Sequence, residues 1–171
     1  DPKWFYDVAG SELFEQITQL PEYYATLTEI GILQQHAKAI SSYCGPDCVL
    51  IEPGAGNCEK ARLLLDQLRP AAYVPLDISA AFLREAALAV GTEYPWLNVQ
   101  AVCADFNADW SFLDVLPYGK RVVFYPGSTI GNLERPDAQA FLRRVRRIIG
   151  EGGGLVVGVD LHKSSERLHA A

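Results

Sequence analysis

The stretch VLIEPGAGNCEK, residues 49–60, decides the fold. Its apolar run Val49, Leu50, Ile51 ends in an acid, Glu52. A Gly-x-Gly turn follows at Gly54 and Gly56, and from Glu59 to Arg69 the chain reads as a helix. Strand, glycine turn and helix in that order open nucleotide-binding α/β domains, where glycines let the backbone approach a ligand at the helix N-terminus. A lone Gly-x-Gly also serves as a plain strand-to-helix turn. Asp77 sharpens the reading. It closes the next apolar run, Ala72–Asp77, about 20 residues past the turn, where such folds grip a ribose diol.

The residues also discriminate between nucleosides. A dinucleotide site wants a third glycine three residues after the second, so that a diphosphate can sit on the helix N-terminus. Glu59 stands there, bulky and anionic. S-adenosylmethionine carries ribose and adenine without phosphate, and its sulfonium is a cation. The acidic strand end at Glu52 and the acidic first turn at Glu59 favour that cofactor over NAD and point to a methyltransferase. A nicotinamide-dependent oxidoreductase and a nucleoside-binding module without catalysis are the competing readings.

Composition bounds the rest. The 171 residues suit one domain with a sizeable core. A net charge of −6 argues against nucleic acid as the main partner. The basic cluster Arg143, Arg144, Arg146 and Arg147 reads as the solvated face of an amphipathic helix whose apolar positions are Phe141, Leu142, Val145 and Ile148. The four cysteines form no Cys-x-x-Cys pair and read as reduced thiols of a cytoplasmic protein. His36, His162 and His169 show no ligand spacing, so no metal site is expected. No apolar run approaches the ~18–20 residues of a membrane span. The chain holds no methionine and ends in a helix-like pattern without a cap, which reads as a portion of something longer.

Along the chain, Ser11 is a candidate cap for a first helix ended by Pro21. Thr26 or Thr28 caps a second helix with apolar positions Ile30, Leu33, Ala37 and Ile40. Strands are then expected at Cys48–Glu52, Ala72–Asp77, Asn98–Cys103, Arg121–Tyr125 and Leu155–Leu161. Helices are expected from Glu59 to Arg69, from Ser79 to Tyr94, and from Pro136. This alternation gives a parallel sheet, whose ligands bind beyond the carboxyl ends of the strands. Gly54, Asp77, Asp105 with Phe106, Ser128 to Asn132, and Asp160 stand at five successive strand ends. Asp105 as a turn cap and Asn132 as a satisfier of loop backbone are the bland alternatives.

The segments KWFYDVAGSELFEQITQLPEYYATLTE, VPLDIS, VCADF, YPGSTIGNLE and VGVDLHK, with the opening stretch, resemble the histidine-specific S-adenosylmethionine-dependent methyltransferases, which include the histidine methyltransferases of ergothioneine biosynthesis. The resemblance covers essentially the whole chain, and fungal indole-alkaloid N-methyltransferases share the pattern. It implies a Rossmann-like class I methyltransferase fold of the α/β class: five parallel strands in the order 3-2-1-4-5, N-terminal helices, and further C-terminal strands missing from this chain. It implies a helical substrate-side segment over residues 1–45 and a cofactor domain over 46–171. Gly54, Lys60, Asp77, Asp105 and Phe106 match the family's cofactor contacts, Tyr23 and Asn132 its amino-acid contacts, and Tyr6 a tyrosine beside the substrate amine. Leu27 stands where the family usually has Arg, and Pro53 where it usually has Leu or a similar residue. The implied reaction is N-methylation of an amino-acid α-amine, with histidine the expected substrate and this chain expected to be inactive alone. Leu155–Val159, apolar on both faces, is expected to form an edge strand open to self-association.

Overall fold

Apolar runs too short for helices alternate here with amphipathic segments, and parallel strands require such crossovers. The structure, a computed structural model, describes residues 23–105 and 116–161 together with residues 10, 13, 16–18, 20, 110 and 163. Strands are β1 (Val49–Pro53), β2 (Ala72–Asp77), β3 (Asn98–Val99), β4 (Val102–Cys103), β5 (Arg121–Tyr125) and β6 (Gly154–Val157). Helices are α1 (Tyr24–Cys44), α2 (Glu59–Leu68), α3 (Ala80–Glu93) and α4 (Arg135–Ile149), with a 3-10 turn at Thr129–Asn132. The sheet runs β3-β2-β1-β5-β6, with β4 also on β2, and every pairing is parallel. This is the expected Rossmann-like order.

Alternation along the strands fills two layers. Leu50, Tyr73, Val122 and Phe124 face α1, α2 and α3, meeting Leu33, Ala37, Leu64, Leu65, Leu83 and Val90. Val49, Ile51, Val74, Val123 and Tyr125 face the other way, onto Phe141, Val145 and Ile148 of α4. Leu142, expected in that core, is exposed, because only the stripe at Phe141, Val145 and Ile148 turns inward. Arg143, Arg146 and Arg147 are exposed on α4, while Arg144 is half-buried and lines a cleft.

Three boundaries differ from expectation, each for a backbone reason. The third expected strand is two short ones in a common register on β2. Tyr73 and Asp77 accept from Gln100 and Ala104 on that side, and Pro75 between them has no N–H to offer the edge. The last strand stops at Val157, four residues short of Leu161. Its partner β5 ends at Tyr125, Pro126 follows, and the bond from Gly158 N–H to the Tyr125 carbonyl is the last along this edge. Among the described residues β6 pairs with β5 alone, and Val157 and Val159 are exposed. Helix α1 begins at Tyr24, so Thr26 and Thr28 lie within it. Most of the expected first helix, with Ser11 and Pro21, lies outside the described residues; residues 10, 13 and 16–18 are helical. The β1–β5 register spans Val49–Ile51 and stops before Pro53, which has no N–H to carry it further although β5 runs on to Tyr125.

The α4–β6 turn is the tightest backbone approach. A Cβ on Gly153 would lie 2.2 Å from the Ile149 carbonyl and 2.6 Å from that of Arg121, both main-chain atoms. Gly91 inside α3 has nothing within 4 Å of such a Cβ. Gly153→Ala therefore lowers stability by about 1–3 kcal/mol. Gly91→Ala raises it by about 0.5–1 kcal/mol through helix propensity. Urea unfolding midpoints at unchanged slope check both.

Candidate functional site

The site grows from the turn after β1. Gly54 and Gly56 have φ of 69° and 53°, a region L side chains rarely enter, and a Cβ on Gly56 would meet nothing within 4 Å. The glycines thus serve the turn's conformation and leave open space above it. Cys58, also left-handed at φ 61°, passes the chain into α2. The Ala55 N–H donates to the Leu76 carbonyl, so the turn is stitched to β2.

Asp77 closes that stitching. Its Oδ2 accepts from the Gly56 N–H at 3.1 Å and its Oδ1 from the Ser79 N–H at 3.0 Å. A carboxylate offers about four acceptor positions. Two hold the β1–α2 and β2–α3 loops together, and two remain on a half-buried group at the cleft wall. Ser79, expected as a helix cap, makes no side-chain cap bond.

Beneath the turn, Glu52 is 2% exposed and accepts a hydrogen bond from the Tyr73 hydroxyl. Desolvation pushes its carboxyl up to about 8 against the opposing pull of the Tyr73 bond and Lys60, with Glu29 and Asp77 adding to the rise. Burial likewise raises the Cys58 thiol to about 12 and the Tyr73 phenol well above its usual value. Glu52 therefore favours its protonated form at pH 7, whereas the sequence shows it only as an acidic strand end. The burial that makes β1 a central strand is the reason.

Helix α1 crosses the same end of the sheet. Glu29 pairs with Lys60 of α2 at 2.6 Å, and both its carboxylate oxygens lie 2.8 Å from the Gly127 N–H after β5. Tyr24 donates to Asp160 at 2.6 Å, and Asp160 also accepts from Lys163, which holds its carboxyl below the usual range. The Asp160 N–H donates to the Ser128 hydroxyl at 2.9 Å. Ser128, left-handed at φ 54°, leads into the Thr129–Asn132 turn.

These elements enclose a cleft of about 1100 Å³. Tyr23, Gly54, Lys60, Asp77, Asp105 and Asn132 all line it; Tyr6 and Phe106 lie outside the described residues. The volume exceeds the ~300–1,000 Å³ usual for one small ligand and leaves room for two. Among the described residues eight carboxylic side chains line it against three cationic ones, which suits a cationic ligand over a diphosphate. A shallower groove of about 590 Å³ over α3 and β3–β4 offers mainly Arg84, Thr92 and Cys103 as polar groups. Glu59, at the place of a third glycine, is exposed and tied to Asn57 in the first turn of α2.

The whole chain, residues 1–171, matches the family model described as histidine-specific, SAM-dependent methyltransferase. The chain belongs to that family. It is 44% identical to a histidine N-alpha-methyltransferase of Mycolicibacterium smegmatis over 98% of this chain and 52% of the relative. It is 33% identical to ergothioneine biosynthesis protein 1 of Neurospora crassa over 97% of this chain and 20% of that protein. The chain thus spans about half the length, or less, of the curated relatives it matches. A solved S-adenosyl-L-methionine-dependent methyltransferase structure from Methanococcus maripaludis has the same fold, at TM-score 0.59 and 19% identity over 96% of this chain and 68% of that one. Family membership sets aside the nicotinamide oxidoreductase reading.

Sequence reasoning did not single out Glu29, Tyr24 or Lys163. For Glu29 a signal existed: it heads the i, i+4 stripe Leu33, Ala37, Ser41 on the buried face of α1, where a lone carboxylate is out of place. Leu27, the departure from the family's Arg, is 57% exposed, and Thr26, Thr28 and Glu29 around it line the cleft. Cys44, Cys48 and Cys58 are buried free thiols and Cys103 is exposed. His36 is exposed on α1, while His162 and His169 lie outside the described residues. Among the described residues no helix is long and apolar enough to cross a membrane.

Glu52 generates a pH prediction. Between its usual 4.5 and its folded value of about 8, the folded chain keeps a proton that the unfolded chain has lost. The Glu52 contribution therefore makes stability fall as pH rises through that window. Glu52→Gln keeps an acceptor for Tyr73 and removes the titration. Its stability relative to wild type should improve steadily from pH 5 to pH 8, as read by urea unfolding at each pH. A constant difference would show that Glu52 does not hold that proton.

Proposed function

We propose that this chain forms the cofactor-binding half of an S-adenosylmethionine-dependent N-methyltransferase acting on the α-amine of an amino acid, histidine being the substrate favoured by the family. The observation that carries the reading is Asp77, whose carboxylate keeps two acceptor positions free at the wall of an electronegative cleft. A ribose diol fills that need, and no diphosphate does. When bound, the cofactor supplies an electrophilic sulfonium methyl.

Roles follow from placement. Asp77 accepts the ribose hydroxyls, Asp105 with Phe106 borders adenine, and Gly54 lies beneath the methionine moiety. Lys60, the ammonium nearest the glycine turn, suits that moiety's carboxylate. Tyr23 and Asn132 hold the amino acid, with Tyr6 beside its amine, so residues 1–45 form a substrate-side segment and 46–171 the cofactor domain, which lends Asn132 to the substrate. The amine must reach the site without its proton, which leaves to water or through a tyrosine hydroxyl. After that, positioning is the main device, since bringing the reactants into line contributes most of what such a transfer needs. Four free thiols suit a reducing compartment, and the cytoplasm is part of this reading.

Calorimetric titration with S-adenosylhomocysteine tests the cofactor assignment. Asp77→Ala should cost about 1.5–3 kcal/mol per hydrogen bond lost, and NAD should not bind. Unchanged affinity in the variant removes Asp77 from the site. In a protein carrying the whole family length, Asn132→Ala should weaken the amino acid and spare S-adenosylhomocysteine. Loss of both would make Asn132 a scaffold residue.

A further inference from the structure

The junction of α1, α2 and the loop after β5 is built around one carboxylate. Glu29 reaches Lys60 at 2.6 Å and the Gly127 N–H at 2.8 Å, with both side chains mostly shielded, 16% and 22% exposed. Two glycines make room for it. A Cβ on Gly158 would fall 2.0 Å from Glu29 Oε1, and one on Gly127 would fall 3.2 Å from Lys60 Nζ and 3.1 Å from Thr129 Oγ1. Gly127 also holds φ at 82°. Four segments distant in sequence thus converge on a seat shaped for the pair.

A lysine alone is a flexible four-carbon stem that loses about 2 kcal/mol of rotamer freedom when fixed. Its ammonium has three donors. Glu29 takes one, the sole hydrogen bond of Lys60 among the described residues, which leaves two for the cleft that Lys60 lines. We propose that Glu29 is a positioning residue: it locks Lys60 against the Gly127 backbone so that the remaining ammonium donors meet the carboxylate of the cofactor's amino-acid end. The inference rests on the reading of Lys60 as a cofactor contact. Glu29 is no temporary occupant awaiting displacement, because its second partner is a main-chain N–H and its seat is walled by glycines. It also sits about one and a half turns from the Tyr23–Tyr24 end of α1, so the contact that orders Lys60 also docks the helix bearing the substrate-side tyrosines.

The test compares two ligands in this chain. S-adenosylhomocysteine carries the amino-acid end, and 5′-methylthioadenosine has the same adenosine without it. Glu29→Gln preserves an acceptor for Gly127 and removes the negative charge that faces Lys60. It should weaken S-adenosylhomocysteine about tenfold while leaving methylthioadenosine within about twofold, the scale of one charge-assisted bond. Lys60→Gln should give the same selective loss, and the double variant no more than either. Glu29→Asp, which keeps the charge one methylene back, should lose less. Equal weakening of both ligands by Glu29→Gln would mean a merely structural role. Tighter S-adenosylhomocysteine would mean that Glu29 competes with the ligand, and either result overturns the proposal. Should Glu29→Gln fail to fold, a Lys60→Gln variant without ligand selectivity overturns it alone. Wild type binding neither ligand defeats the cofactor reading itself. Wild type binding both, with Glu29→Gln without effect, defeats only the role of Glu29.

Discussion

One carboxylate holds the centre of this molecule together. Asp77 ends β2, and its two oxygens tie down the backbone of the loop after β1 and of the loop after β2. The first of those loops flanks the point where strand order reverses, between β1 and β5, since the chain leaves β1 toward β2 on one side and later returns to β5 on the other. At such a point adjacent loops diverge and a crevice opens between them. Without a shared acceptor, the Gly56 and Ser79 N–H groups would need water or each other's neighbours. With it, the crevice has a rigid wall that is itself an acceptor. The same side chain thus sets the shape of the cleft and its chemistry.

Charge is distributed around that wall by burial. Glu52, one strand away, is driven neutral by the packing of the sheet, so it acts as a hydrogen-bonded core residue joined to Tyr73. The charged carboxylates stand further out, on helix ends and loops. Helix α1 is held across them by two polar ties, Glu29 with Lys60 and Gly127, and Tyr24 with Asp160. Each tie joins α1 to a segment more than 30 residues distant, and the second spans nearly the whole described chain.

The fold was legible because periodicity and strand-end chemistry agree at every level, from the apolar run before Gly54 to the acid after Leu76. The order of the sheet followed from the family resemblance, not from that pattern. What was hidden lay in the backbone donors. The split at Gln100–Ala101 comes from Pro75 on the neighbouring strand, and the early end of β6 from Pro126 after its partner, so neither is local to the strand affected. The protonation of Glu52 was not legible because sequence shows an acid and not its burial. Glu29 was passed over because its partners, Lys60 and Gly127, are 31 and 98 residues away. Tyr24 and Lys163 come together on Asp160, more than 130 residues from Tyr24 in sequence. Residues that bind through side-chain type at strand ends can be read from a sequence; residues that act through a partner across the sheet cannot.

The central claim is that the crevice over Gly54, Gly56 and Asp77 is the cofactor site of a methyltransferase half. A crystal structure of this chain grown with S-adenosylhomocysteine tests it most directly. The account predicts both ribose hydroxyls within about 3.2 Å of the Asp77 carboxylate, with the amino-acid end turned toward Lys60. Density for the ligand in the groove over α3 and β3–β4, or a ribose turned away from Asp77, would contradict it.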